Sequence, residues 1–352
     1  MSGGVDSSTA AGLLKEKGYE VIGATMCIGT GDKVQGGPAR CCSLSDIEDA
    51  RRVALHLGIP FYVIPMREEF EEEVIQYFCG EYIQGKTPNP CILCNEKIKF
   101  GSFLKKAMEL GADFLATGHY ARLGFDEGTG RYLLRKGVDR RKDQSYVLFS
   151  LTQDQFRRIL FPLGDLRKEE VRGKALQLKL RVHDKAESQE VCFIQETSYH
   201  SFLSERLKVP VEPGPILDKD ARVLGRHKGI PFYTIGQRRG LGLAKGKPLY
   251  VIKIDREKNT IVVGGAEEVL SDTFLVDSIN WIVPPETGPF HHAHVKIRYN
   301  HPGSEASLFQ KGEGKLEVKF QSPQKAITPG QAAVFYHGET LLGGGWIKEV
   351  VN

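Results

Sequence analysis

The first third of the chain alternates helical and extended patterns of hydrophobic residues. Apolar and small residues recur at helical spacing over residues 6–17, and the buried-strand pattern EVIGATM follows at 20–26. Residues 45–48 have the spacing of a capping box ahead of a second helix, and the apolar run at 61–64 predicts a second strand. Strands that alternate with helices predict a parallel sheet with right-handed crossovers.

A third strand is predicted by the segment DFLATGHY at 113–120, which follows a helical pattern around residues 103–110. In parallel sheets of this kind, ligands bind beyond the carboxyl ends of the strands. Met26 and Gly118 stand at two such ends. We therefore expect both residues to border a ligand site.

Beyond about residue 195 the pattern changes to short strands separated by Pro, Gly and Asn turns. The segment PLYVIKIDREKNTIVVGG at 248–265 is typical of a hairpin, and three further strand patterns are HAHVKIRYN, KLEVKF and AAVFYHGETLLGGGWIKEV. The predicted fold class is thus α/β, with a Rossmann-like domain at 1–195, a small mixed β domain at 196–265 and a C-terminal β-barrel at 266–352. The middle part contains a glycine-bracketed basic loop, YTIGQRRGLG.

The segment SGGVDSS at residues 2–8 stands where the first helix begins. Gly3 and Gly4 let backbone amides converge, and a helix N-terminus adds partial positive charge, so the segment suits a phosphate group. It lacks the lysine and the spacing of a Walker loop. The alternative is an ordinary helix cap made by Ser2 or Asp6. Because phosphate loops normally follow a buried strand, we expect that the first strand of the sheet is missing from this chain.

Composition and charge limit the class of protein. The content of 41% hydrophobic and 26% charged residues is typical of a globular protein, and no apolar run approaches the roughly 20 residues that cross a bilayer. We expect a cytoplasmic protein with no membrane partner. The net charge is only +4, but residues 131–185 contain 15 Lys or Arg against 7 Asp or Glu. This excess favours a polyanionic partner, although solvated helix faces explain it equally well.

The seven cysteines favour thiol or metal chemistry over a disulfide framework, since their number is odd and the chain is long. Cys91 and Cys94 form a CxxC pair, which alone fits a metal site, a redox pair or coincidence, and Cys192 follows 98 positions after Cys94. Cys94 precedes a predicted helix and has Lys97 and Lys99 nearby, a setting that lowers the pKa of a thiol. We assign the remaining cysteines to packing or chance: Cys27, Cys41, Cys42 and Cys79.

Two resemblances follow from these segments. SGGVDSS resembles the pyrophosphate loop of the PP-loop ATPases, which cleave ATP between the α and β phosphates and activate a carbonyl oxygen as an adenylate. Seven segments resemble, in order, those of the tRNA-specific 2-thiouridylase family: SGGVDSS, TPNPCILCN, ATGHY, KDQSY, CFI, YTIGQRRGLG and TPGQAAVFY. That family converts the wobble uridine of certain tRNAs to 2-thiouridine, with ATP and a protein-bound persulfide.

The resemblance implies a role for each matching residue. ATP, with Mg²⁺, would be bound by Ser2, Gly3, Gly4, Val5, Asp6, Ser7, Ser8, Met26 and Gly118. Cys192 would carry the persulfide, and Cys94 would be the nucleophile that releases the sulfur or assists its transfer. The implied tRNA contacts are Asn89, Pro90, Cys91, His119, Lys142, Asp143, Gln144, Arg298, Tyr299 and Gln331, with residues 89–91 facing the target base. The implied partners are tRNA and a sulfur-donor protein or sulfide source. The resemblance also implies that residues 1–195 are the ATP-binding catalytic domain and residues 196–265 a tRNA-binding domain.

Three alternatives remain open at the level of sequence. Many family members have Asp where this chain has Cys91, so Cys91, Cys94 and Cys192 are candidate ligands of an iron-sulfur cluster whose sulfide is transferred. A second enzymatic alternative is another adenylating PP-loop ligase or amidotransferase that acts on a small molecule. The basic stretch, the β domains and the placed cysteines count against it. The third is an RNA-binding protein with a structural metal, which tRNA-dependent conversion of ATP to AMP would exclude.

Overall fold

The structure is a computed structural model, and it describes residues 1–29, 44–186, 191–194, 199–207, 210–243, 246–285 and 290–351. The chain divides into two units. Unit 1 consists of Met1–Ile75, Cys91–Glu196 and Glu339–Leu341, and unit 2 consists of Gln76–Pro90, Thr197–Gly338 and Leu342–Asn352. In the described ranges, no helix is long and apolar enough to span a membrane.

Unit 1 begins with the predicted helix and strand pattern. Helix α1 spans Val5–Glu16, strand β1 spans Gly23–Cys27, helix α2 spans Leu44–Leu57 and strand β2 spans Phe61–Pro65. β1 and β2 pair in parallel, as predicted. The capping-box prediction is wrong, because Ser45 lies inside α2 instead of at its N-cap.

The strands β3 (Leu115–Ala116), β4 (Ala121–Asp126), β5 (Arg131–Lys136) and β6 (Ile159–Leu160) complete unit 1. β3 pairs in parallel with β6, so the described parallel strands of unit 1 form two separate pairs, β1–β2 and β3–β6. β4 and β5 form an antiparallel hairpin. The sequence analysis missed it, because β4 begins at residue 121, directly after the predicted third strand at 113–120. The third predicted strand is confirmed, but only for two of its residues.

Two long helical stretches of the chain contain π-helical turns. The first stretch is α3 (Arg67–Phe70), the π-helical Glu71–Ile75 and α4 (Gln76–Ile83). The second is α5 (Pro90–Leu93), the π-helical Cys94–Phe103 and α6 (Leu104–Glu109). Helices α7 (Gln153–Phe156) and α8 (Lys168–Gln177) belong to unit 1. Insertions of this kind are frequent at functional sites, and Cys94 is the first residue of the second one.

The middle of the sequence, in unit 2, folds as helix α9 (Tyr199–Arg206) and a four-stranded sheet. Its strands are β7 (Gly214–Leu217), β8 (Val223–His227), β9 (Tyr250–Asp255) and β10 (Thr260–Gly264), in the order β8-β7-β10-β9. β9 and β10 pair antiparallel, which confirms the predicted hairpin. Alternate residues of this hairpin, Val251, Ile261 and Val263, are buried in the core of the sheet.

The last third of the chain forms a closed barrel. The strands are β11 (Leu270–Trp281), β12 (Phe290–Lys296), β13 (Ser304–Gln310), β14 (Leu316–Lys325), β15 (Ala332–His337) and β16 (Thr340–Val351). They follow the order β11-β14-β13-β12-β15-β16, and β11 also pairs with β16. This closure leaves the barrel without an open edge, which confirms the predicted C-terminal β-barrel. The domain boundaries proposed from the sequence stay predictions.

Candidate nucleotide and cysteine sites

The loop before α1 leaves the N-terminus of that helix open. Gly4 is the N-cap residue, and no side chain of the described chain caps it. The alternative of a helix cap by Ser2 or Asp6 is therefore wrong. The Oγ atom of Ser8, in the first turn, is fully buried and has no hydrogen-bond partner among the described residues. Open amides and an unpaired hydroxyl at a helix N-terminus suit an anionic oxygen ligand.

Internal hydrogen bonds fix the shape of the loop. The Ser2 amide donates to Ser7 Oγ (3.0 Å), and Ser7 Oγ donates to the Gly4 carbonyl (3.3 Å). Gly3 has a φ of +70°, and a Cβ atom there would collide with the carbonyl group of Asp46. Glycine is thus required at position 3 by both conformation and space.

The segments at the ends of β1 and β3 lie close to the loop. A Cβ atom on Gly118 would come within 2.9 Å of the Ser7 nitrogen, so only glycine allows this approach. The backbone of Met1 hydrogen-bonds to Ala24 and to the Thr25 side chain of β1, the strand that contains Met26. The structure therefore brings Gly118 and the strand of Met26 to the predicted phosphate loop.

Lys168 is a loop contact that the sequence analysis missed. Its side chain is almost fully buried, and Nζ donates to both carboxylate oxygens of Asp6 at 2.7 and 2.8 Å. The Tyr120 hydroxyl donates to the same carboxylate at 2.7 Å. The negative charge of Asp6, which would repel a phosphate in the first turn of α1, is thereby compensated.

Lys185 makes a second contact of this kind. Its Nζ donates to the Gly3 carbonyl (3.1 Å), to Asp46 (2.8 Å) and to Asp49 (2.6 Å). Burial acts to lower the pKa of Lys185, but the hydrogen bonds that its ammonium donates to both carboxylates outweigh burial and raise the pKa. Lys168 and Lys185 both belong to the basic stretch at 131–185, so part of its charge is used inside unit 1. Their partners lie far away in sequence, and no local pattern identifies them.

The predicted thiolate character of Cys94 is wrong for the protein without substrates. Cys94 is buried, and this desolvation raises its pKa to about 12, although the nearby Lys99 acts to lower it. Lys97 does not assist, because its ammonium pairs with Glu96 at 2.9 Å. Burial therefore outweighs the positive charge that the sequence placed beside this thiol.

Cys91, Cys94 and Cys192 share one electrostatic environment. Cys192 and Lys99 both influence the pKa of Cys91 and that of Cys94. Cys91 and Cys192 expose part of their surface, yet desolvation of the Cys91 thiol raises its pKa. The ring of Phe193 packs edge-on against Phe70, with centroids 5.8 Å apart, and so anchors the segment that contains Cys192.

The described cysteines form neither a disulfide nor a metal site. No set of three His, Cys, Asp or Glu side chains in the described ranges has the spacing of metal ligands. Cys27 is half-buried and Cys79 is buried, which fits their assignment to packing. Cys41 and Cys42 lie outside the described residues.

The predicted tRNA contacts in unit 1 are mostly engaged with other protein groups. His119 is buried between Phe100 and Phe161, and desolvation lowers its pKa well below the usual value, so the ring is neutral at pH 7. The Asp143 carboxylate accepts three hydrogen bonds, from the Gly137 and Ser145 amides and the Ser145 hydroxyl. Gln144 accepts from the Tyr120 amide at 3.0 Å, and Lys142 is half-buried beside it. Direct contact of these residues with tRNA stays a prediction.

Of the predicted contacts in unit 2, Gln331 holds the segment that leads to Asn89 and Pro90. Gln331 Nε2 donates to the Thr87 carbonyl at 2.7 Å, and Gly330, at φ +89°, lies so close to Thr87 that a Cβ atom would be 3.0 Å from its nitrogen. The barrel segment at 328–331 therefore fixes the start of the TPNP sequence. Arg298 donates to the Lys325 carbonyl at 3.0 Å, and Tyr299 is half-buried next to it.

Comparison with known proteins agrees with this arrangement. The α/β unit with an open phosphate loop, followed by two β folds, defines a nucleotide-binding protein of the HUP class. Residues 1–196 match the family model described as tRNA methyl transferase HUP domain. Residues 200–265 match its PRC-barrel domain, and residues 271–347 match the aminomethyltransferase beta-barrel domain.

Full-length relatives identify the family. The tRNA-specific 2-thiouridylase MnmA of Carboxydothermus hydrogenoformans is 51% identical over 99% of this chain and 96% of its own length. The protein of the same name from Moorella thermoacetica is 50% identical over 100% of this chain and 99% of its own length. The one from Clostridioides difficile is 48% identical over 99% of this chain and 97% of its own length. The chain belongs to the tRNA-specific 2-thiouridylase family, as its sequence segments predicted.

Proposed function

We propose that this protein is an AMP-forming tRNA-uridine 2-sulfurtransferase that converts the wobble uridine of tRNA to 2-thiouridine. The observation that carries the proposal is the presence, in one unit, of an open phosphate loop and of three electrostatically coupled cysteines. Membership of the family supports ATP and tRNA as its substrates. The family model names methyl transfer, whereas the full-length relatives are named as 2-thiouridylases, and these support sulfur transfer.

ATP supplies the leaving group of the reaction. The amides of residues 3–8 and the hydroxyls of Ser7 and Ser8 would hold its pyrophosphate, while the uridine 2-carbonyl oxygen takes up the adenylyl group. Mg²⁺ would neutralise phosphate charge, and Asp6 is the carboxylate of the loop. Asp6 Oδ1 already accepts from Lys168 and Tyr120, whereas Oδ2 accepts only from Lys168 and would be the oxygen available to the ion.

The sulfur step needs two cysteines. In our proposal, the terminal sulfur of a persulfide on Cys192 attacks the uridine C2 atom, and AMP leaves with the former carbonyl oxygen. The thiolate of Cys94 then attacks Cys192 Sγ, which breaks the sulfur–sulfur bond, leaves sulfur on the base and joins the two cysteines. A thiol reductant returns both to thiols, and a donor protein that carries a persulfide then passes its outer sulfur to the Cys192 thiolate and is left as a thiol. Where inorganic sulfide is the source, it attacks the Cys94–Cys192 disulfide instead, which forms the Cys192 persulfide and releases the Cys94 thiolate. The charge of Lys99 stabilises the Cys94 thiolate.

We propose this persulfide route over the iron-sulfur alternative. Cys91, Cys94 and Cys192 are all described, and they do not have metal-ligand spacing in the described structure. The residues present therefore do not fit a cluster as they stand. Cys91 would then only border the target base. The cytoplasmic location stays a prediction.

Mass spectrometry of tRNA nucleosides tests the proposal. Wild-type protein, incubated with tRNA, ATP and a donor protein that carries a persulfide, should form 2-thiouridine and AMP. Cys192→Ser and Cys94→Ser should each abolish the product and leave ATP and tRNA binding intact, because the thiols act after recognition. Cys79→Ala, a buried cysteine in unit 2, is the matched control and should remain active.

Each contrary outcome points to one alternative. Normal thiolation by Cys192→Ser would reject the cysteine assignment, and a methylated uridine would reject sulfur transfer. AMP formation without any dependence on tRNA would favour a small-molecule ligase. Protein verified to contain no iron should be fully active, with a persulfide on Cys192. Activity that returns only after cluster reconstitution would reject the persulfide route.

A further inference from the structure

The glycine-bracketed loop YTIGQRRGLG borders a depression in unit 2. The depression has a volume of about 450 Å³. Aromatic rings of α4 and α9 form one side, and the loop forms the other, with these residues: Tyr82, Tyr199, His200, Thr234, Gln237 and Arg239. None of the described side chains that line it is acidic. The sequence analysis identified this loop by its glycines and arginines, but the loop has no role in the proposed nucleotide site or in the cysteine site.

Hydrogen bonds hold the loop in one shape. Gln237 Oε1 accepts from the Thr234 amide, and its Nε2 donates to the Arg239 carbonyl, both at 3.0 Å. The Gly236 amide donates to the Val251 carbonyl at 2.8 Å, and the Val251 amide donates to the Gln237 carbonyl at 3.0 Å. Gly236 has a φ of +83°, in the region that favours glycine. The loop therefore presents Arg239 from a fixed backbone, which lowers the entropic cost of binding a ligand.

The opposite side of the depression offers aromatic surface. Tyr82 and Tyr199 stack at 5.6 Å, and the exposed His200 ring packs against Tyr199 at 4.2 Å and against Phe232 at 5.4 Å. Burial and the charge of Lys228 lower the pKa of His200. At neutral pH its ring is thus an uncharged, flat and accessible surface.

We propose that this depression binds one unstacked nucleotide of the tRNA substrate. The base would stack on the exposed His200 ring, which the edge-on Tyr199 ring holds in place, and the phosphate would pair with Arg239, which is exposed and has no ion-pair partner in the described ranges. Single-stranded RNA is recognised by this combination of a flat ring and a cation. An acidic peptide would use the arginine but gains nothing from the aromatic rings. That this RNA is tRNA rests on the proposed function.

Ultraviolet cross-linking and tRNA binding test the proposal with the full chain. Wild-type protein irradiated with an unmodified tRNA transcript should give a cross-linked peptide that contains Tyr199 and His200. Arg239→Gln should weaken tRNA binding about tenfold and lower the slope of log affinity against log salt by roughly one. His200→Ala should weaken binding similarly, and His200→Phe, which keeps a flat ring, should restore it.

Arg222→Gln is the matched control, because Arg222 is an exposed arginine of the same sheet region but does not line the depression. It should stay within about twofold of wild type. Equal weakening by both arginine variants would show general electrostatics only and overturn the proposal, as would a cross-link elsewhere. If Arg239→Gln and His200→Ala keep wild-type affinity for tRNA but take up less sulfur from a donor protein, the depression binds that protein and not tRNA. If the wild-type protein does not thiolate tRNA, the proposed function is rejected. The cross-link still tests whether the depression contacts tRNA, because it does not depend on thiolation.

Discussion

Cys94 shows how burial and charge compete at a single thiol. Its desolvation raises the pKa to about 12, and Lys99 only partly opposes this effect. A buried, protonated thiol is protected from oxidation and alkylation. The sequence shows the lysines nearby but not the burial, which explains why it predicts the wrong direction.

This competition predicts a pH profile for alkylation of Cys94. In protein without substrates, the rate of modification by iodoacetamide should rise about tenfold per pH unit, without a plateau below about pH 10, because the thiolate is the nucleophile. Lys99→Met should slow the reaction at every pH. Lys97→Met should leave it unchanged, since Lys97 pairs with Glu96. Peptide mass spectrometry separates Cys94 from Cys91, and a plateau near pH 7 would contradict the argument.

Asp6 stands in the first turn of helix α1, where we propose that phosphate binds, and Lys168 compensates its charge. Lys168→Met should weaken ATP binding at least about tenfold and lower the free energy of unfolding by about 1–3 kcal/mol, because the partly buried Asp6 loses its counter-charge. The double variant Asp6→Asn/Lys168→Met removes both charges and should recover much of the stability without recovering ATP binding. Calorimetric titration with ATP and denaturant unfolding measure the two effects.

Lys174→Met is the control for this experiment, since Lys174 lies on the same helix, α8, and contacts neither Asp6 nor the loop in the described structure. It should match wild type in both measurements. If Lys168→Met also binds ATP normally, Lys168 is only a structural residue. If the double variant binds ATP as well as wild type, Asp6 itself has no role in the nucleotide site.

Elements with a strong local pattern were predictable, and those fixed by distant contacts were not. The spacing of apolar residues identified α1, β1, β2 and the β9–β10 hairpin. The π-helical stretch at Cys94 depends on tertiary support, such as the Gln155 side chain that donates to the Phe100 carbonyl at 2.8 Å. The seven sequence segments located the loop and the cysteines, but Lys168 and Lys185 required the fold, because their partners are more than 130 residues away.

Both units contain a buried neutral histidine, so acid should destabilise the molecule as a whole. In unit 1, burial lowers the pKa of His119 well below its usual value. In the barrel, His301 is only 4% exposed, accepts from the Gly303 amide at 3.1 Å and lies 3.2 Å from Gln324 Oε1. Burial, together with the charges of Arg298, Lys296 and His294, lowers the pKa of His301 to about 4.

The sign of the effect follows from the two pKa values of His301. Below about pH 6.5 the unfolded chain binds a proton, whereas the folded ring stays neutral down to about pH 4. The contribution of His301 to the free energy of unfolding is therefore complete above pH 6.5. It falls as the pH decreases through this window, by at most about 3 kcal/mol.

Both tryptophans, Trp281 and Trp346, lie in barrel strands, so their fluorescence during denaturant unfolding reports on the barrel. His301→Gln should flatten the pH dependence, while His337→Gln, at an exposed position, should leave it as in wild type. If the free energy of unfolding depends equally on pH in wild type and His301→Gln, acid destabilises the barrel through other groups.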